Sequence, residues 1–144
     1  MITVKQLLKE NTGSVWTVAP QDSVYRALEI MAEKNIGALV VVEKGKVVGM
    51  FSERDYARSV VRNEKSPKDT SVSELMDGNV CYIRPEQTID ECMALFTNKR
   101  IRHLPVLEME KLVGLVSIGD AVKQYLADKD LTIQQLENYI TGSI

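Results

Sequence analysis

A gapless internal repeat constrains this chain more than any other feature. Shifting the sequence by 65 positions lays Val15 on Val80, Pro20 on Pro85, Ile36 on Ile101, Leu39 on Leu104 and Val41 on Val106. The same shift lays Lys46 on Lys111, Val48 on Val113, Gly49 on Gly114, Ser52 on Ser117 and Asp55 on Asp120. Alternating hydrophobicity could align the apolar pairs by chance, but it does not reproduce Pro, Gly, Ser and Asp in one order at one offset. A unit copied once implies two halves that bury their apolar faces against each other. At 144 residues the chain is long enough for both halves to share a real core.

Each copy opens with a related segment, residues 3–8 and 71–76, in which a hydroxyl stands three positions before Gln6 or Glu74. That is a capping-box pattern, and it predicts a short helix. A strand follows at 15–18 and at 80–83, stopping before Pro20 and Pro85. Then come helices with apolar residues on one face, Val24, Ala27, Leu28 and Met31 in the first copy and Ile89, Cys92, Met93 and Phe96 in the second. Runs rich in β-branched residues at 38–42 and 47–51, joined at Lys44-Gly45, read as a hairpin; 104–107 and 112–116 repeat it around Met109-Glu110. Ser52 and Ser117 then cap a last helix in each copy.

The expectation is an α/β (α+β) fold of two pseudo-symmetric β-α-β-β-α repeats, at 1–61 and 71–127, packed through their sheets. A polar linker containing Pro67 occupies 62–70, and a C-terminal helix occupies 128–144. Thr132 with Gln135 marks the start of that helix, which carries Ile133, Leu136 and Ile140 on one side, to pack on the body or on a second subunit.

Composition narrows the function. Lysine plus arginine (18) against aspartate plus glutamate (20) leaves a net charge of −2, which argues against nucleic acid or an anionic membrane as partner. No apolar run approaches the roughly 20 residues that span a bilayer, and the N-terminus lacks a signal peptide's apolar stretch, so the protein is expected in the cytoplasm. Cys81 and Cys92 form no CxxC pair and read as free thiols; with His103 as the sole histidine, a metal site or a histidine charge relay has little material. Neither GxxxxGK[ST] nor GxGxxG occurs. A binding module is the better class than an enzyme.

Both copies end in a strand, the run Gly-hydrophobic-hydrophobic-Ser-x-x-Asp and a helix: Gly49 to Asp55 and Gly114 to Asp120. Two such β-α-β-β-α units in tandem resemble a pair of CBS domains, a Bateman module, from Thr3 to about Ala127. The segments 52–58, 100–106 and 114–120 are similar to the small stand-alone two-CBS proteins of bacteria and their plant organellar relatives, as is 136–140. The resemblance implies a regulatory homodimer that binds an adenine nucleotide (AMP, ADP, ATP or NAD) in a cleft between repeats and signals occupancy by a change of repeat or dimer geometry. The alternative is a protein-interaction module that regulates an enzyme or thioredoxin, with a vestigial cleft.

Asp55, in the first turn of a helix that follows a strand, is either half of a routine capping box with Ser52 or an acceptor for a ribose diol; both roles can hold together. Arg100, Arg102 and His103 supply cationic partners for phosphate where helix runs into strand, against the plainer reading of a solvated edge. The resemblance implies that Arg102 and His103 reach the nucleotide whose ribose sits on Asp55, with Val80 and Cys81 along the adenine and Met50 near it. Arg54 is close enough in sequence to touch phosphate, whereas Arg58 and Arg62 read as solvated. Where the second copy has Arg102-His103 the first has Gly37-Ala38. The second position, built on Val15, Trp16, Gly37, Ala38, Ser117, Gly119 and Asp120, is therefore expected to be weaker, empty or suited to an uncharged part of a ligand. Trp16 either stacks on adenine or fills the core, the core being the expected place. Cys81 is expected to be an inert buried thiol.

Overall fold

The computed structural model describes residues 1–10, 15–62 and 65–142. In chain order its elements are α1 (Val4–Glu10), β1 (Thr17–Val18), α2 (Val24–Lys34), β2 (Ala38–Glu43), β3 (Lys46–Ser52), α3 (Glu53–Arg62) and a 3₁₀ turn at Pro67–Asp69. There follow α4 (Val72–Leu75), α5 (Ile89–Lys99), β4 (His103–Glu108), β5 (Lys111–Ser117) and α6 (Ile118–Thr141). The described residues fall into two compact units, one of 15–62, 65–82 and 108–113, the other of 1–10, 83–107 and 114–142. We call them the Asp55 unit and the His103 unit. Among the described residues no helix is long and apolar enough to cross a membrane.

In the Asp55 unit, β2 pairs in parallel with β1 (Val18 opposite Val41) and antiparallel with β3 (Leu39 opposite Phe51). The hairpin turn puts Lys44 and Gly45 at φ 51° and 77°, the left-handed pair that a tight two-residue turn requires. Helix α2 starts where the Ser23 hydroxyl accepts the Arg26 N–H at 3.0 Å, and it ends at Asn35 in the left-handed conformation. Its Val24, Ala27 and Met31 pack with Leu39, Val41 and Phe51 in a buried cluster. Side chains of this kind contribute about 1.5–3 kcal/mol each when fully buried. Ala38 and Val40, on the opposite face of β2, are buried as well. Both faces of β2 are therefore closed to water, which is why 38–42 reads as a continuous apolar run rather than an alternating one.

The His103 unit repeats this plan around α5, whose Thr88 hydroxyl accepts the Glu91 N–H at 3.2 Å and whose Ile89, Cys92 and Phe96 are buried. The β4–β5 hairpin turn, Met109-Glu110, takes the same left-handed pair of conformations without a glycine, at φ 50° and 66°. The strand expected at 80–83 shrinks to one parallel bridge, Ile83 with Val106. There Ile83 donates to the Pro105 carbonyl (3.0 Å) and accepts from Leu107 (2.9 Å). The strand expected at 15–18 is likewise trimmed, to Thr17–Val18.

The short leading helices change places. Helix α4 precedes the second sequence copy yet completes the Asp55 unit: Val24 N–H donates to Thr70 O, Val72 N–H to Asp22 O and Ser73 N–H to Pro20 O, at 2.8, 2.8 and 2.9 Å. Helix α1, at the head of the first copy, makes the matching bonds in the His103 unit: Ile89 N–H to Ile2 O, Val4 N–H to Gln87 O and Lys5 N–H to Pro85 O, at 2.9, 2.8 and 2.8 Å. Each helix brings a side chain over a glycine of the strand beneath, Leu8 from within α1 and Met76 just after α4. A Cβ on Gly49 would stand 2.7 Å from Met76 Sδ and 3.0 Å from the Asp77 carbonyl; one on Gly114 would stand 2.7 Å from a Leu8 methyl. This close approach accounts for the glycine at the head of the repeated Gly-x-x-Ser-x-x-Asp run.

Two further expectations are corrected. No separate C-terminal helix begins near 128, because α6 runs unbroken from Ile118 to Thr141 and the Thr132 hydroxyl bonds back to the Asp128 carbonyl (3.0 Å) instead of capping a new start. Trp16 does not fill the core: it is 39% exposed, with Lys34 Nζ 4.3 Å from its ring centroid, so a cation–π contact replaces burial.

Candidate functional site

The turn from β3 into α3 fixes Asp55. The Ser52 hydroxyl accepts the Asp55 N–H at 3.2 Å, and Asp55 Oδ2 accepts both the Ser52 N–H (2.9 Å) and the Ser52 O–H (3.0 Å). The capping box is thus reciprocal and is made entirely through one carboxylate oxygen. Among the described residues Oδ1 accepts no hydrogen bond, and the side chain is half-buried at a helix N-terminus, where the backbone dipole favours its charge. One oxygen holds the group still while the other remains an open acceptor. The two readings of Asp55, cap and ligand acceptor, divide between its two oxygens.

The same unit holds six of the residues expected for the main position, among them Met50, Val80 and Cys81, which the resemblance implies. Ser52 stands opposite Ala38 in the β2–β3 register, and Met50 opposite Val40. Met50 also exchanges backbone hydrogen bonds with Asp77 at 3.0 and 2.8 Å, so the chain leaving α4 lies along the edge of β3. Val80 and Cys81 follow on that segment, both half-buried. Gly37 gives its carbonyl to the Glu53 N–H (3.0 Å), closing the start of α3. Arg54 is exposed, as are Arg58 and Arg62. Val15 is half-buried and Trp16 exposed just before β1.

In the His103 unit, Arg100 is the left-handed cap of α5, Arg102 is exposed on the following bend and His103 opens β4. The Arg102 carbonyl accepts the Ile118 N–H at 2.8 Å, and the Ser117 hydroxyl accepts the Asp120 N–H at 3.1 Å. Gly119 is exposed in the first turn of α6. Burial holds the His103 imidazole below its ordinary pKa; the Arg102 charge adds to that shift and Asp120 opposes it. His103 is therefore neutral at pH 7, a hydrogen-bonding ring rather than a cation. Arg102, His103, Ser117 and Asp120 form the polar group of this unit.

The residues expected for the main position thus come from both units: Met50, Ser52, Arg54, Asp55, Val80 and Cys81 from one, Arg100, Arg102 and His103 from the other. The second set divides too, with Val15, Trp16, Gly37 and Ala38 in the Asp55 unit and Ser117, Gly119 and Asp120 in the His103 unit. Sequence reasoning missed the carbonyls of Gly37 and Arg102 as helix-closing acceptors. Their only signal was their shared place in the repeat, since a backbone carbonyl leaves no residue-type signature. Cys81 is only half-buried, whereas burial pushes the Cys92 thiol up to about 12. Among the described residues no cluster of His, Cys, Asp and Glu could hold a metal ion.

Comparison with known proteins agrees with this architecture. The family model described as the CBS domain matches residues 1–62 and again 72–127. The mitochondrial CBS domain-containing protein CBSX3 of Arabidopsis thaliana is 36% identical over 139 residues, covering 93% of this chain and 68% of that protein. Among solved structures, the CBS domain NE2398 superposes with a TM-score of 0.84 at 47% identity, covering 88% of this chain and 99% of that one. The CBS domain pair of protein MJ0100, in complex with 5'-methylthioadenosine and S-adenosyl-L-methionine, has a TM-score of 0.78 at 24% identity, covering 89% of this chain and 98% of that one.

Proposed function

The chain belongs to the CBS-domain family, and from that premise we propose that it is a regulatory module that binds an adenine nucleotide, AMP or its relatives ADP, ATP and NAD. The carrying observation is the Asp55 carboxylate, pinned through Oδ2 by Ser52 and open at Oδ1. An ionised carboxylate only accepts hydrogen bonds, so it suits the hydroxyls of a ribose and repels phosphate. The phosphate goes instead to Arg102 and His103, with Arg100 and Arg54 as further cations, while the adenine lies along Val80, Cys81 and Met50. A neutral His103 serves here as an N–H donor. The complex with two adenosine derivatives reported for MJ0100 supports this ligand class for the fold.

The counterpart position of Val15, Trp16, Gly37, Ala38, Ser117, Gly119 and Asp120 lacks the arginine–histidine pair and takes the weaker ligand or none. The protein acts by regulation, as a homodimer, and passes occupancy on because the ligand prefers one arrangement of the repeats over another. Isothermal titration with AMP, ATP and NAD tests this. Saturable heat with at least one nucleotide, lost or strongly weakened in Asp55→Asn, is the expected result. Absence of heat with all three overturns the reading and leaves a protein partner such as thioredoxin as the ligand.

A further inference from the structure

Trp16, Gly37 and Glu53 stand at one end of the sheet of the Asp55 unit, where β1 and β2 begin and β3 runs into α3. The register sets Thr17 opposite Val40 and Ser52 opposite Ala38, so Trp16 and Glu53 flank the head of β2, two strand spacings or roughly 10 Å apart. Val18 and Leu39 turn their side chains into the cluster with α2, and alternation along each strand gives Trp16 and Gly37 that same face. There Lys34, the last residue of α2, holds its ammonium 4.3 Å from the centre of the Trp16 ring. A Cβ on Gly37 would have Glu53 Oε2, at 4.0 Å, as its sole neighbour outside the adjacent chain. The Glu53 side chain is exposed and, among the described residues, makes no ion pair.

A lysine across an exposed tryptophan is ordinary surface chemistry; the contrast with the other copy is what points to a ligand. The slots of Trp16, Gly37, Ala38 and Glu53 hold Cys81, Arg102, His103 and Ile118 in the second copy, whereas Lys34 and Lys99 are common to both. Exchange of Arg102 for glycine and of Ile118 for glutamate inverts the charge of the slot. Exchange of Cys81 for tryptophan adds the ring whose face attracts a cation best. We propose that this end of the Asp55 unit is a site for an organic cation. The ammonium or other onium group of a small ligand replaces the Lys34 ammonium on the Trp16 ring, with the Glu53 carboxylate as its counter-charge and the space over Gly37 as its room. Lys34 marks where the ring holds positive charge, and as an exposed side chain on a flexible stem it gives way readily. The inference rests on the reading of the counterpart position for its place and names the chemistry that position takes; it does not depend on what Asp55 binds.

Trp16 is the sole tryptophan, so its emission reports on this site. The full chain is titrated with choline, a free quaternary ammonium, with 5'-amino-5'-deoxyadenosine, which carries its ammonium on a nucleoside, and with AMP as the anionic comparison. A saturable change of Trp16 emission is expected with at least one of the two cations, at concentrations several-fold below any that AMP requires; which of them acts tells a free ammonium from a nucleoside-borne one. Glu53→Gln should weaken that cation several-fold, and Lys34→Met, which removes the resident competitor, should tighten it. Both side chains are exposed, so neither substitution disturbs the core. The proposal is overturned if neither cation changes the emission, if AMP is preferred, or if Glu53→Gln and Lys34→Met leave the cation's affinity unchanged. Calorimetry of AMP on Asp55→Asn judges the nucleotide reading separately, and its failure leaves the choline titration standing.

Discussion

Gly37 and Arg102 hold equivalent places in the two units, and their carbonyls do the same work, closing α3 through Glu53 N–H and α6 through Ile118 N–H. The scaffold needs only the carbonyl there. The side chain is released from structural duty, and the copies use that release differently: glycine then alanine in one, arginine then histidine in the other. Backbone hydrogen bonds are duplicated faithfully while the side chains at these positions diverge. Duplication has thus produced two similar frames with unlike chemistry.

The sharpest test of the frame concerns its two glycines. Gly49→Ala should cost about 2–3 kcal/mol, because the new methyl meets the Asp77 backbone carbonyl as well as Met76. Gly114→Ala should cost about 1 kcal/mol, because it meets only the pliant end of Leu8. Urea unfolding of both variants measures the gap, and equal losses would show that the leading helices are seated alike in both units.

The chemistry is tested next. Asp55→Ala, or the pair Arg102→Ala with His103→Ala, should weaken AMP binding by about 1–3 kcal/mol in calorimetry, the range for a lost charge-assisted hydrogen bond. Asp120→Ala should weaken it less. The reverse order would exchange the principal and subordinate positions.

A smaller effect concerns acidity. The folded His103 pKa lies below the reference 6.5, chiefly through burial. The unfolded chain therefore takes up the proton first as pH falls below 6.5, so the His103 contribution to stability is complete above that pH and is lost on descending through the folded value. His103→Ala, which copies Ala38, should flatten this part of the stability profile relative to the parent. Smallest of all is the difference between the thiols. A disulfide reagent should modify half-buried Cys81 in the native protein and reach Cys92 only on unfolding, given its burial and a pKa near 12.

Much of this was legible in the sequence because it is written in side chains: the repeat, the caps at Ser52 and Ser117, the hairpins and the buried stripe of α2. What escaped was of another kind. Residues 3–8 and 71–76 carry the same pattern, so either could seat on either body, and nothing local reveals that they exchange. The segment 80–83 has the composition of a strand, but only Ile83 finds a ladder partner. Thr132 with Gln135 looked like a helix start because a capping box and an interior Thr-x-x-Gln are the same letters; beyond Gly119 in its first turn, α6 holds no glycine or proline to force a break. Trp16 was expected inside on size alone, whereas Lys34 gives its ring a partner at the surface. For the site, the role of each Asp55 oxygen depended on Ser52 geometry, which spacing suggests but cannot apportion.

The exchange of leading helices also bears on how the chain is made. During synthesis, once Tyr82 has left the ribosome the Asp55 unit has nearly all its parts in one continuous stretch, lacking only residues 108–113. Helix α1 is in the opposite position: its partners Pro85, Gln87 and Gly114 lie some eighty to a hundred residues downstream. Helix α1, made before every other described element, is therefore among the last to find its seat, and until then its Val4 and Leu7 lack the cover they have in the folded unit.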